Sequence, residues 1–471
     1  MRVWLACALL SAGCSYTFDD RASDVRLVGF APPAASLQSI HVAAEESFQF
    51  LDGADGATWM AIFGAARNRV DGPVHAVRLA DPATVETFDG SYTILGSSAV
   101  YLVEFGEGDA DSTMVVRRPG EAGQGRTLVL SGNHGRLVMS PHDRAVFWRR
   151  TPDFNVAMSE LLRTDSGFRR PIATDEADDV NGSPRFDADD EYVFTFEHNG
   201  HVVRHATRSD EDLTLGLWCA RPPIPLDLSA IATAVDDVGR QLVFCGPAGV
   251  YTVPFDGSPG RTLDPIACEL GPAGDVILGF QVVDGLVLYN TQHEVRSVRV
   301  DGSEPPRTIY AHAKADLIAL TPSRAATTHG GFDQWSHHVS DGFVDGWQFM
   351  ERGREAQFSR DGKRIRFIED AADDDGVGEL RAASLGGASE TLARNVWQFD
   401  EIGDGRVLAA ANRWQIGDWN RVIVIDEQSR TAAWVAEGVK RYTLIPGTND
   451  VLAEGVVDGE YLRCPIPVGV K

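Results

Sequence analysis

The chain has 471 residues, 43% of them hydrophobic, and a formal net charge of −25. That length and apolar content suffice for a large core, while the charge repels nucleic-acid phosphates and anionic lipid surfaces, so neither is expected as an electrostatic partner. Alternation of apolar and polar residues dominates, and helical spacing is confined to one stretch, residues 154–162, so the chain reads as all-β.

In chain order, the first feature is Met1-Arg2 followed by a short apolar run ending in Ser11-Ala12-Gly13-Cys14. One positive charge, an apolar stretch too short to stay in a bilayer and small residues before a cysteine make a secretory signal. The stretch resembles the lipobox of bacterial lipoproteins, with Leu10 one place earlier than usual. The resemblance implies cleavage after residue 13, lipidation of Cys14 and, with Ser15 following, an outer-membrane address. Residues 14–40 then read as a tether carrying one strand, Arg26-Leu27-Val28-Gly29-Phe30, before the breaker Ala31-Pro32-Pro33.

From residue 41 onward a repeat sets in. The most legible copy is Gln357-Phe358-Ser359-Arg360-Asp361-Gly362-Lys363-Arg364-Ile365-Arg366-Phe367, two apolar strands around an Asp-Gly turn, with further strands near residues 378–385 and 391–393. Turn signals of this kind recur at Asp52-Gly53, Leu95-Gly96, Ser140-Pro141-His142-Asp143, residues 187–190, 236–239, 271–274 and 321–323, Asp404-Gly405 and residues 447–450. Their spacing of roughly 35–50 residues is the period of propeller blades. Ser140-Pro141-His142-Asp143 and the Asp361-Gly362 stretch resemble the Ser-Pro-Asp-Gly blade motif of TolB-type and WD40-like propellers. The expectation is a single β-propeller over residues 41–471, of about eight four-stranded blades, with nine or ten accommodated by the count of turns. The final unit looks one strand short, and the strand at Arg26–Phe30 is the candidate to complete it and remove an open edge.

Four loops between second and third strands have unusual composition. Glu107-Gly108-Asp109-Ala110-Asp111 and the run containing Asp373-Asp374-Asp375 are acidic; His198 and His201 flank an Asn-Gly turn; Trp414 and Trp419 share a loop. Carboxylates are hard ligands for calcium, but a metal loop beginning at Ala371 lacks both its first ligand and a Glu at its twelfth position, so a solvated acidic loop is the simpler reading. The His pair lacks an assured third ligand. The two tryptophans supply contact area at an interaction surface, or else fold back as a plug. With Cys14 lipidated, Cys219, Cys245, Cys268 and Cys464 remain, and a disulfide drawn from the first three is expected, with Cys464 a free thiol.

No nucleophile elbow, zinc-protease motif, phosphate loop or dinucleotide fingerprint occurs. The leading expectation is therefore a monomeric, non-enzymatic, lipid-anchored scaffold of the cell envelope that binds a protein or a glycan and needs no cofactor. The alternative is a propeller enzyme (lactonase, lyase or hydrolase) whose carboxylates, recruited from several blades, hold calcium at the central channel.

Overall fold

The computed structural model describes residues 26–30, 39–43, 46–66, 69–107, 110–132, 135–150, 158–173, 184–196, 201–217, 232–246, 249–266, 268, 280–283, 285–291, 294–310, 316–321, 324–331, 334–341, 347–350, 353–359, 363–370, 377–384, 387–403, 405–411, 420–455 and 459–467. No helix occurs among them. Consecutive strands pair antiparallel into four-stranded units, which we number as blades I to X. Blades I to VII span residues 46–88, 92–130, 135–173, 185–217, 232–264, 280–310 and 316–350; blades VIII and IX span 353–396 and 396–439, and blade X spans 442–465 plus 39–41.

Eight hydrogen-bonded sheets result, and two of them are double. Blades I and II are joined where Val70 pairs with Thr93. Blades VIII and IX share one strand, Ser389–Gly403, whose first half pairs within blade VIII and whose second half pairs within blade IX. Asn395 makes this sharing feasible: it takes φ of 52°, a left-handed conformation that Asn tolerates better than most side chains. Nine of the ten turn signals fall between a first and a second strand; in blade VI that turn lies between Val283 and Leu286, and the signal at residues 271–274 is outside the described residues.

First strands of neighbouring blades touch, Ala232–Asp236 against Phe280–Val283 and Asp316–Thr321 against Gly353–Phe358, which places first strands at the hub. Between blades the strands are covered on both faces. One core joins Trp59 and Phe88 of blade I to Val100 of blade II, another joins Tyr101 to Trp148 of blade III, and a third joins Phe194 to Phe244 across blades IV and V. Each such ring contributes about 1.5–3 kcal/mol by leaving water. The seam between Leu452 and Tyr461 of blade X and Met60 and Ile62 of blade I closes the circle. The architecture is a β-propeller.

Two expectations are corrected. The strand that completes blade X is Ser39–His41, paired antiparallel with Glu460–Pro465, and not Arg26–Phe30. The latter lies parallel to Thr431–Val439 as a fifth, outermost strand of blade IX. The segment just before blade I must reach the neighbouring rim, and three residues suffice to cover that edge. Residues 158–162 of the helical-looking stretch are the third strand of blade III, Met158–Arg163. Leu161 and Leu162 point to opposite faces and are both buried, because both faces of a blade are covered.

Candidate functional site

The turns between first and second strands are interlocked. Asp143 of blade III, at φ of 57° and buried, reaches back into the equivalent turn of blade II. There its Oδ2 accepts hydrogen bonds from the Ser98 amide at 2.5 Å and Ser97 Oγ at 2.9 Å, and its Oδ1 accepts one from the Tyr101 hydroxyl at 3.0 Å. A Cβ on Gly96 would lie 2.0 Å from Asp143 Oδ1, so only glycine permits this approach. Asp190 repeats the device one blade on, accepting from the amides of His142 at 3.3 Å and Arg144 at 3.4 Å. Asp237 of blade V accepts from the Ala188 amide at 2.9 Å. These acids act as staples between neighbouring turns. Asp187, in the same turn of blade IV, accepts from the amides of Glu191 and Tyr192 through one oxygen. Burial pushes its carboxyl up to about 6, against those two amides, with Asp237 adding to the rise.

The seam between blades VIII and IX is ionic. Arg366, on the second strand of blade VIII and 1% exposed at its side chain, donates Nε to Glu427 at 2.5 Å and lies 3.2 Å from Glu401 through Nη1. Arg364 meets Glu427 at 3.2 Å and also pairs with Glu390, which Arg430 contacts from the turn of blade IX. Beside Glu401, a groove of about 510 Å³ opens between the turns of blades IX and X, lined by Ile402, Leu444, Asn449 and Ile466.

One constellation looks catalytic in outline. Thr195 Oγ1 is 2.8 Å from His205 Nε2, and His205 Nδ1 is 2.7 Å from Asp212, which also accepts from Arg170 at 2.7 Å. Burial raises the Asp212 carboxyl, but the bonds from His205 and Arg170 outweigh it and hold it down at about 2. Thr195 is 0% and His205 3% exposed, so no substrate reaches the hydroxyl. The chemistry is that of a bolt through the second, third and fourth strands of blade IV.

The residues singled out by the sequence fare unequally. Cys14, Asp109, His198, Cys219, Asp373, Asp374, Asp375, Trp414 and Trp419 lie outside the described residues. Asp111 accepts a hydrogen bond from the Gly132 amide at 2.9 Å, tying its loop to the chain that leaves blade II. His201 opens the third strand of blade IV, half-buried. Cys245 is disulfide-bonded to Cys268; Cys464 is a buried thiol, pushed up to about 11 by burial and by Asp450. No group of three His, Cys, Asp or Glu among the described residues is placed to hold a metal ion. Sequence reasoning overlooked Phe105, which sits 39% exposed at the mouth of the Asp111 loop, its ring tilted on Tyr92. The signal was present: an aromatic between Glu104 and Gly106, at the point where alternation stops.

No family model matches the chain, and no curated protein is significantly similar to it. Among solved structures it is similar to the Dos1 propeller, at 10% identity over 72% of this chain and 93% of that one, with a TM-score of 0.36. A eukaryotic initiation factor matches at 10% identity over 91% and 100%, with a TM-score of 0.43. The propeller domain of the Trilobed protease from Pyrococcus furiosus matches at 10% over 71% and 94%, with a TM-score of 0.28. The strand order and the interblade cores, and not these distant likenesses, define the class: this is a β-propeller protein with four-stranded blades.

Proposed function

We propose that the chain is a lipid-anchored, non-enzymatic scaffold of the cell envelope, held in the outer membrane through Cys14, that binds a protein or glycan on one face of its disc. One observation carries the reading. In blades II, IV, VIII and IX the second strand ends and the third begins at the same end of the blade, and the stretches 105–111, 197–200, 371–376 and 412–419 lie between those strands in the sequence. At the opposite end, the turn acids Asp143, Asp190 and Asp237 make hydrogen bonds between blades. On the loop end Phe105 is 39% exposed, an aromatic surface open to a partner. Large aromatic side chains there supply contact area, and acidic loops draw cationic groups towards them.

The test is a pull-down from envelope extract with the intact chain and a Trp414→Ala/Trp419→Ala variant. Loss of about 2 kcal/mol from an aromatic anchor, a weakening of roughly thirtyfold, is expected with an unchanged melting temperature. Undiminished retention by the variant removes the tryptophans from the binding surface, and a lowered melting temperature makes them core. In parallel, Cys14→Ser is expected to move the protein from membrane to soluble fractions.

A further inference from the structure

We infer that the disc hangs with its turn end towards the anchoring membrane and its second-to-third-strand loops pointing away, so that the partner is met outside that membrane. The inference rests on the proposed anchor at Cys14, and strand register supplies the direction. In blade IX the third strand, Asn420–Asp426, pairs with Thr431–Val439 so that Asn420 faces Val439 and Asp426 faces Thr431. The third strand therefore begins at the Val439 end, where the chain arrives from the second strand. The outermost strand, Arg26–Phe30, is parallel to Thr431–Val439 with Arg26 beside Thr431. The chain preceding Arg26 therefore enters at the Asp426 end, opposite the end at which the third strand begins.

The thickness between the two ends is that of a seven-residue strand, about 20 Å at roughly 3.4 Å per residue. The eleven residues between Cys14 and Arg26 reach at most about 40 Å when fully extended. Turning the loop end to the lipid would make this tether run back along the rim, spending about half its reach on the disc edge alone. Completion of blade X agrees: His41 pairs with Glu460, so the strand from Ser39 also runs from the turn end to the loop end.

The test uses the full lipidated chain on vesicles containing a lipid with a nitroxide-bearing headgroup. Fluorophores are attached singly at Gln428→Cys, in the turn after Asp426, or at Glu437→Cys, near the loop end of the same blade; both positions are exposed. Cys219→Ser and Cys464→Ala remove competing thiols. At least twofold stronger quenching at position 428 than at 437 is expected, and no quenching at either once Cys14→Ser abolishes lipidation. Quenching at 437 equal to or above that at 428 overturns the orientation while leaving the anchor intact. Failure of the chain bearing Cys14 to float with vesicles overturns the anchor, and the inference with it.

Discussion

The seam between blades II and III and the seam between blades VIII and IX do the same mechanical job with different chemistry. In the first, a buried aspartate is satisfied by an amide and hydroxyls of the preceding turn. In the second, Arg366 and Arg364 are set against Glu427, Glu401 and Glu390. An Asp that accepts local hydrogen bonds needs only a turn of fixed shape, whereas an ionic cluster must stay balanced, since a buried charge left alone is costly. The ionic seam is also the welded one, where the strand Ser389–Gly403 replaces the usual connection. With no turn between those blades, the two strand segments are held at a fixed spacing, and long side chains bridge what a short Asp does elsewhere.

The contrast can be broken at either seam. Arg366→Met is expected to have the largest effect, about 3–5 kcal/mol in chemical denaturation, because Glu427 loses one of its two cations inside the protein. A loss below about 1 kcal/mol would show that the cluster is dispensable. Asp143→Ala comes next, at about 2–3 kcal/mol, since it strands the buried Tyr101 hydroxyl and places Ala at positive φ. Asp143→Asn retains acceptor capacity and should fall between wild type and Ala. The smallest effect is pH-dependent and belongs to the hydrogen-bonded seams. Asp187 is raised to about 6, above its ordinary value, so its favourable contribution is complete at about pH 4 and is lost as pH rises through 6. Asp187→Asn should flatten the stability profile between those limits and raise the melting temperature near pH 7.5 by about 1–3 °C. Asp212, held at about 2, runs the other way: its contribution is present above about pH 4 and fades below.

Much of this architecture could be read from the chain because its markers are local. Ser140-Pro141-His142-Asp143 announces a turn, and Ser140 Oγ does accept the amides of Arg144 and Ala145 that close it. The strand at Arg26–Phe30 was equally visible, but its partner was not: a parallel edge pairing leaves no mark on either segment alone. Ser39-Ile40-His41 is too short to show alternation, yet it closes the ring. The weld at Asn395 was hidden because it consists of a missing turn. The candidate face was readable as loop composition, whereas the commitment of Asp111 to the Gly132 amide depends on a residue 21 positions away and has no local signature.

Closure of blade X by Ser39–His41 has a kinetic corollary. Its pairing with Glu460–Pro465 spans more than four hundred residues of chain, whereas the other blades draw their four strands from their own stretch of sequence, Arg26–Phe30 being a fifth strand added to blade IX. Blades can therefore condense one after another as the chain emerges, each burying a face on its predecessor. Until blade X arrives, both ends of the stack expose an apolar side. The last step is a long-range search whose entropy is repaid only at the end, and contacts of that separation form slowly. An open ring of nine finished blades is the species to which a chaperone, or a second copy, would have the longest access.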